Sequence, residues 1–260
     1  MPCPDTLIHG DCLEAMKHIA DGSVDAIIAD LPYGITACAF DTVIPFVPLW
    51  EAYKRVIKPN GAIVLTAAQP FTSALIMSNL KWFKYDWVWD KRSPTGFLNA
   101  KRMPLRSHES VLVFYNSQPT YNPQKYKKLY AERTGKGFTP LGQVLKAGVY
   151  GDKIKHASRV RSAYGYPKTI IEFPTGGGRT KSSNIHPTQK PVALLEYLVR
   201  TYTNPGDLVL DNCMGSATLP VACLNTGRHF IGIEQDDKYF AAGCARVRTR
   251  QLELASTLDL

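Results

Sequence analysis

The chain has 260 residues, 45% of them hydrophobic, and its 31 Lys and Arg against 22 Asp and Glu give a net charge of +9. This length predicts one large α/β core with a smaller module inserted into it. The sequence contains no apolar run of about 18 residues, which excludes a transmembrane helix. The first residues, Met1 to Asp5, lack the pattern of a signal peptide, so we expect a soluble, cytoplasmic protein.

Between Thr6 and Tyr115, short apolar runs alternate with amphipathic helical patterns. This alternation is typical of a parallel sheet whose strands are joined by crossover helices. The predicted strands are Leu7–His9, Val24–Ala29, Ala62–Thr66, Tyr85–Trp89 and Ser110–Tyr115, and the predicted helices cover residues 12–20 and 45–57. The sequence Lys58-Pro59-Asn60-Gly61 predicts a turn.

The middle of the chain, about residues 93–185, loses this periodicity and is rich in Gly, Pro, Tyr, Lys and Arg. Residues 91–190 hold 19 Lys and Arg against 4 Asp and Glu, whereas the other residues hold 12 against 18. A strongly basic insert in an acidic body favours a polyanion partner, most commonly nucleic acid, although a basic solubilising face is the alternative. We therefore predict a core formed by residues 1–92 and 186–260, with strand 108–116 completing its sheet.

A regular α/β pattern resumes at Thr188. We predict helices over Pro191–Tyr202, Ala217–Asn225 and Lys238–Leu252, and strands over Leu208–Leu210 and Phe230–Ile233. The strands are short and apolar, which is typical of a buried parallel sheet.

Three short motifs fall where such a sheet binds ligands. Asp30-Leu31-Pro32-Tyr33-Gly34 follows an apolar strand, and the carboxyl ends of parallel strands are the usual ligand edge. Taken alone, this motif is equally compatible with a plain turn.

The second motif, Asp211 to Thr218, is a turn of small residues between a strand and a helix, and such turns let the backbone approach a bound nucleotide. Glu234 ends the next strand, 23 residues after Asp211, where an acidic side chain can accept hydrogen bonds from ribose hydroxyls. Together these features indicate an adenosine-containing cofactor.

The third motif, His186 to Pro191, starts a helix, and Thr188 is a suitable N-cap. Its Lys190 and the helix start could also hold a carboxylate. The six cysteines form no C-x-x-C pair and lie beside no histidine at zinc-ligand spacing, so we expect reduced thiols and no metal.

The order of these motifs resembles that of the β-class DNA amino-methyltransferases, which methylate adenine N6 or cytosine N4 and are often part of restriction-modification systems. The resemblance covers nearly the whole chain. It implies a doubly wound, mostly parallel, seven-stranded Rossmann-like sheet with an inserted basic target-recognition region. It also implies S-adenosylmethionine as cofactor and double-stranded DNA as partner, and it allows a homodimer. The amino-terminal strand Leu7 to Asp11 is then expected beside the Glu234 strand.

The resemblance also assigns roles to individual residues. In the predicted mechanism a flipped-out base stacks on Tyr33, and Asp30 and the Leu31 carbonyl accept hydrogen bonds from its amine. The predicted catalytic residues are Asp30, Leu31, Pro32 and Tyr33. The predicted cofactor residues are Asp11, Cys12, Asp30, Thr188, Gln189, Lys190, Asp211, Asn212, Cys213, Gly215, Ser216, Glu234 and Gln235. The predicted DNA contacts are Lys101, Arg102, Lys127, Lys128, Arg159 and Arg161.

The sequence departs from the family pattern at a few positions. Leu31 replaces a proline, Asn212-Cys213 replaces Pro-Phe, and Ala217 replaces the second glycine of the cofactor loop, which costs little only if its φ is negative. Asp30 favours adenine, because the family more often has Ser there for cytosine. Three alternatives stay open at this point: action on cytosine N4, an RNA or protein methyltransferase, and a DNA-binding homologue without activity.

Overall fold

The computed structural model of the protein describes residues 5–36, 41–127, 163–175 and 189–258. In chain order the elements are β1 (Thr6–His9), α1 (Cys12–Met16), β2 (Val24–Ala29), α2 (Phe46–Val56), β3 (Ile57–Ala67), α3 (Phe71–Ser78), β4 (Phe83–Thr95), a 3-10 turn (Phe97–Asn99), β5 (Arg106–Phe114), β6 (Tyr126–Lys127), β7 (Tyr164–Gly165), β8 (Ile170–Glu172), α4 (Val192–Tyr202), β9 (Leu208–Asp211), α5 (Thr218–Thr226), β10 (His229–Glu234) and α6 (Asp237–Leu258). The chain divides into two compact units, Met1–Asn122 with Thr169–Leu260, and Pro123–Lys168.

The first unit is built on an eight-stranded sheet with the order β1-β10-β9-β2-β3-β5-β4-β8. The strands from β1 to β3 in this order are parallel, β5 is antiparallel to both of its neighbours, and β8 pairs in parallel with β4. The carboxyl ends of the five parallel strands therefore meet at one edge of the sheet.

Helices cover both faces of this sheet because its central strands are apolar on both sides. Along β2, Ile27 packs in the cluster that contains α1, α2 and α3, whereas Ala26 and Ile28 pack in the cluster that contains α4 and α5. Helix α2 shows the matching pattern, since its buried residues recur at helical spacing along one stripe. The predicted doubly wound, mostly parallel α/β fold is confirmed.

Strands from the amino-terminal and carboxyl-terminal parts of the chain meet at β1 and β10, as the family resemblance implies. Strand β1 pairs in parallel with β10, with His9 opposite Glu234, and Gly10 donates a backbone hydrogen bond of 3.0 Å to the Glu234 carbonyl. Gly10 has a φ of 145°, which L-residues rarely adopt, so a glycine suits the turn between β1 and α1.

The structure also departs from the predicted elements. The expected turn at residues 58–61 lies inside β3, where the register against β2 shifts between Val24 and Ala26. Helix α3 was not predicted, and β8 adds an eighth strand from the region predicted to be irregular. Residues 93–122 and 169–175 belong to the first unit, so the second unit is shorter than the predicted insert.

The described part of the second unit holds a short antiparallel pair, β6 with β7. A Cβ added to Gly165 would lie 2.6 Å from Tyr126 Cζ, so the glycine lets the tyrosine ring pack on the opposite strand. The Lys125 Nζ lies 5.0 Å from the Tyr166 ring centroid, and the Lys168 Nζ lies 5.6 Å from that of Tyr126. These tyrosines thus contact cations of their own unit.

Candidate active site

A cavity of about 570 Å³ opens at the carboxyl edge of the sheet. It is lined by most of the residues predicted for catalysis and cofactor binding: Asp11, Cys12, Asp30, Leu31, Pro32, Tyr33, Gln189, Lys190, Asp211, Asn212, Cys213, Gly215, Ser216, Glu234 and Gln235. The other member of that set, Thr188, lies outside the described residues. Strands β1, β9 and β10 supply one half of the cavity, and β2, β3, β4 and β5 supply the other.

In the first half, Glu234 is held by the backbone. Its Oε2 accepts a hydrogen bond of 2.9 Å from the Gly215 N–H, and its Oε1 accepts one of 2.8 Å from the Asp236 N–H. A carboxylate oxygen can accept two hydrogen bonds, so each oxygen retains capacity for a ligand hydroxyl. The side chain is thus fixed in place and still able to bind a pair of ribose hydroxyls.

Asp211 ends β9 at the floor of the cavity and is 5% exposed. Its Oδ1 accepts a hydrogen bond of 3.0 Å from the Cys213 N–H. Burial, and then the like charges of Asp30 and Glu234, raise the pKa of Asp211 to about 8. Three carboxyl groups therefore face one cavity, which favours a cationic ligand.

The turn after β9 is fixed by contacts from several segments. The Tyr53 hydroxyl donates to Asn212 Oδ1 at 2.6 Å, and Ser216 Oγ lies 3.1 Å from the side-chain amide of Gln189. Arg246 of α6 donates to the Ser216 carbonyl at 3.0 Å. Asp11 caps α1, accepting hydrogen bonds from the two backbone N–H groups at residues 13 and 14.

The cavity also contains two free cysteines, Cys12 and Cys213. The hydrogen bond with Cys12 and burial raise the pKa of the Cys213 thiol well above its usual range. A neutral thiol is a poor nucleophile, so Cys213 is suited to lining the cavity and not to covalent catalysis.

Ala217 has a left-handed backbone, with φ 59° and ψ 42°, and is fully buried at the start of α5. The sequence analysis expected little strain at Ala217 only if its φ were negative. The φ is positive, so the backbone at this position is strained. A left-handed residue other than glycine costs about 1 kcal/mol. The Ala217 methyl group packs toward Gly243 of α6, where an added Cβ would lie 3.2 Å from it.

The second half of the cavity is organised around Asp30, which directly follows β2. Its Oδ1 accepts hydrogen bonds from the Tyr33 hydroxyl, at 2.7 Å, and from the Thr66 hydroxyl at the end of β3. Its Oδ2 lies 2.8 Å from the Lys190 Nζ. Three side chains from different segments thus orient one carboxylate.

A row of alternating charges continues from Asp30. Lys190 Nζ also lies 3.3 Å from Glu109 Oε2, and Lys91 Nζ lies 3.2 Å from Glu109 Oε1. The side chains of Lys190, Glu109 and Lys91 are only 9%, 15% and 8% exposed. Burial alone would lower the pKa of Lys190, but the carboxylates of Asp30 and Glu109 raise it above its ordinary value. We call Asp30, Lys190, Glu109 and Lys91 the charge network.

Sequence reasoning missed three of the residues that complete this half: Thr66, Lys91 and Glu109. Glu109 carried one usable signal, because it is one of only 4 acidic residues within the basic segment 91–190. Lys190 was predicted as a cofactor residue, which stays a prediction, and in the structure it forms ion pairs with Asp30 and Glu109.

Tyr33 is packed as well as hydrogen-bonded. Its ring stacks on Phe71 with a centroid separation of 5.3 Å, and the Lys190 Nζ lies 5.4 Å from its centroid. Burial, and then the charges of Asp30 and Glu109, raise the pKa of Tyr33 well above 10. The hydroxyl therefore stays protonated and donates to Asp30. The predicted stacking of Tyr33 on a base stays a prediction.

The three predicted DNA contacts that the structure describes do not line the cavity. Lys101 and Arg102 are exposed beyond the 3-10 turn between β4 and β5, and Lys127 lies on β6 of the second unit. Lys128, Arg159 and Arg161 fall outside the described residues. Within the described ranges, no group of three or more His, Cys, Asp or Glu side chains could hold a metal ion. No helix in the described part of the chain is both long enough and apolar enough to cross a membrane.

The doubly wound sheet, with a cavity at its carboxyl edge and the two fixed oxygens of Glu234 inside it, defines the class of α/β proteins with a site for a nucleoside-like ligand. Comparison with known proteins narrows this class. A family model described as DNA methylase, of the N6/N4 methyltransferase type, matches residues 24–243. The chain therefore belongs to this DNA methylase family, which confirms the predicted resemblance and the DNA methyltransferase activity.

Three relatives illustrate the similarity. The DNA adenine methyltransferase YhdJ of Escherichia coli is 30% identical over 93% of this chain and 82% of its own length. The crystal structure of an M1.HpyAVI–SAM complex is 27% identical, covers 93% of this chain and 98% of its own, and has a TM-score of 0.59. The PvuII cytosine-N4-specific DNA methyltransferase is 16% identical, with coverage of 95% and 87% and a TM-score of 0.66, and supports the fold alone.

Proposed function

We propose that this enzyme transfers the methyl group of S-adenosylmethionine to the N6 amine of an adenine flipped out of double-stranded DNA. The observation that carries the proposal is the position of Asp30, a partly buried carboxylate held by three side chains in the same cavity as Asp211 and Glu234. The relative YhdJ, a DNA adenine methyltransferase, supports the choice of adenine, and the M1.HpyAVI structure, a complex with SAM, supports the choice of cofactor.

The residues of the first half fit S-adenosylmethionine. This cofactor has a ribose, for which Glu234 has two fixed oxygens, and it carries positive charges on its sulfonium and ammonium groups. The carboxyl groups of Asp211 and Glu234 face this part of the cavity, and a bound cation would favour the ionised form of Asp211, whose pKa is raised in the free protein. When bound, the cofactor supplies an electrophilic methyl group.

Asp30 is suited to binding the target amine. Counting the contacts of the described residues, Oδ1 accepts two hydrogen bonds and Oδ2 accepts one from Lys190. A carboxylate offers about four acceptor positions, so one on Oδ2 remains for an amine proton. The Leu31 carbonyl is the second proposed acceptor, and both would stabilise the positive charge that develops on the amine nitrogen.

The charge network explains how Asp30 can bind the target amine although the buried cation of Lys190 lies beside it. Lys190 alone would cancel the charge of Asp30 and oppose a developing cation on the amine. The negative charge of Glu109 offsets the positive charge of Lys190, and Lys91 in turn offsets Glu109. With Asp30 included, the network holds two positive and two negative charges. We propose that Lys190 orients Asp30 and that Glu109 keeps the local potential favourable for the amine.

The product separates adenine from the alternative, cytosine N4. Purified enzyme is incubated with S-adenosylmethionine and double-stranded DNA, and the nucleosides are analysed by mass spectrometry. We expect N6-methyladenine from the wild type and at least about 100-fold less from Asp30→Ala. N4-methylcytosine as the main product would overturn the adenine assignment, and methylation of RNA in preference to DNA would overturn the proposed substrate. The predicted homodimer and cytoplasmic location stay predictions.

A further inference from the structure

The connection between β4 and β5 carries an exposed apolar tip, which we call the hairpin tip (Gly96–Met103). Leu98 is fully exposed, Phe97 is 65% exposed and Met103 is 49% exposed. Single exposed apolar residues are common on proteins, but a group of large ones on one projecting turn indicates an interaction site.

The hairpin tip is locally ordered. Gly96 takes a left-handed conformation with φ 91°, and the Asn99 N–H donates to the Gly96 carbonyl at 2.9 Å. The Arg102 and Met103 N–H groups then donate to the Asn99 carbonyl at 2.8 and 3.0 Å. These backbone hydrogen bonds hold Phe97 and Leu98 outward, so little entropy is lost when a partner binds them.

The charge around the tip selects the kind of partner. Residues 91–108 contain five Lys and Arg and no Asp or Glu. Within this segment Lys101, Arg102 and Arg106 are exposed and flank the apolar side chains. An apolar wedge between cations is complementary to a nucleic acid duplex, which has apolar base faces between two rows of phosphates.

The position of the tip relates it to the active site. Thr95 pairs with Arg106 at the base of the tip, and both residues line the cavity together with His108. Asp30 lines the same cavity. The base of the tip therefore borders the cavity that contains Asp30.

We propose that Phe97 and Leu98 insert into the DNA duplex beside the target base and fill the space that it leaves, while Lys101, Arg102 and Arg106 hold the neighbouring phosphates. This inference rests on the proposed function. A base that leaves the stack loses stacking and pairing energy, and an inserted apolar side chain recovers part of that loss. No chemical step is assigned to these residues.

The test compares Leu98→Ala with Leu252→Ala, the same substitution at an exposed leucine of α6. Each variant and the wild type are assayed on two oligonucleotide duplexes that contain the target site found by sequencing methylated DNA. One duplex is fully paired. In the other, the target base lies opposite an abasic site, so little pairing energy opposes its exit.

On the paired duplex we expect Leu98→Ala to lower the methylation rate about tenfold or more, and Leu252→Ala to leave it unchanged. On the abasic duplex Leu98→Ala should recover to near the wild-type rate. Equal rates for the two variants on the paired duplex would overturn the proposal, as would an equal loss on both duplexes. A loss that coincides with a changed oligomeric state in sedimentation would instead assign the tip to contact with a second copy. If the wild type methylates neither duplex, it is the proposed function that fails.

Discussion

The two halves of the cavity are built in different ways. Around Glu234 and Asp211, the hydrogen bonds come from backbone N–H groups of the turns that directly follow β9 and β10. Around Asp30, the contacts come from side chains, one from the nearby Tyr33 and two from Thr66 and Lys190 of distant segments. Lys190 is in turn paired with Glu109. We call the half around Glu234 and Asp211 the cofactor half and the half around Asp30 the amine half. The cofactor half depends on local chain geometry, whereas the amine half depends on a balance of charges between residues that are distant in sequence.

The largest effect should come from Asp30→Ala, which removes the centre of the amine half and leaves the turns of the cofactor half in place. We expect methyl transfer to fall at least about 100-fold, because the acceptor that stabilises the charged amine is removed. Cofactor binding, measured by calorimetry, should change far less. Equal losses in both measurements would contradict the division of the cavity into two halves.

A smaller effect is expected from Glu109→Gln, which removes one charge from the network and changes little in size. The site would then hold an excess positive charge beside the amine, so kcat should fall about tenfold or more while the KM for the cofactor stays near its wild-type value. The matched control is Glu172→Gln, because Glu172 forms an exposed ion pair with Arg92. A comparable kcat loss in both variants would remove the special role of Glu109.

The cofactor half should respond to pH through Asp211. Its pKa of about 8, against 3.8 for an ordinary aspartate, means that the cofactor-free enzyme loses a stability contribution as pH rises from about 4 through 8. A cationic ligand favours the ionised carboxylate, so cofactor binding near pH 7 should release up to one proton. Calorimetry in buffers of different ionisation enthalpy measures this release, and Asp211→Asn should abolish it. Unchanged proton release in that variant would refute the assignment.

The cations of the hairpin tip should make the affinity for DNA depend on salt concentration. Replacing Lys101 and Arg102 by Ala should flatten the slope of log affinity for DNA against log salt by about 0.9 for each phosphate that is no longer neutralised. The control replaces Lys238 and Arg248, exposed cations of α6. If the Lys101/Arg102 and Lys238/Arg248 variants flatten the slope equally, Lys101 and Arg102 contribute to DNA affinity only through the net charge of the protein.

The smallest effect should be that of Ala217→Gly in the cofactor turn. Relief of the left-handed alanine is offset by the removal of a buried methyl group and by the greater freedom of glycine in the unfolded chain. The free energy of unfolding should therefore change by less than about 1 kcal/mol. Ala217→Val should destabilise by more, since a β-branched residue at φ 59° would be forced against Gly243. Denaturant unfolding measures both variants. A change of about 2 kcal/mol or more in the free energy of unfolding of Ala217→Gly would contradict this balance.

The same contrast explains what the sequence could predict. The strand ends at Asp30, Asp211 and Glu234 follow from local patterns and the rules of parallel sheets, whereas the pairing of β1 with β10 was implied by the family resemblance. Thr66 and Glu109 were missed because they reach Asp30 and Lys190 from β3 and β5, and no spacing along the chain encodes those contacts. The left-handed backbone of Ala217 was also unreadable, because alanine gives no signal for a positive φ.

The charge balance of the amine half is tested most directly by combining Glu109→Gln with Lys91→Met. If Glu109 acts by charge, removing its second cationic partner restores a balanced site. We then expect the double variant to recover a substantial part of the kcat that Glu109→Gln loses, with thermal unfolding confirming that both proteins are folded. A double variant that is as slow as Glu109→Gln or slower would contradict the account and assign Glu109 a geometric role instead.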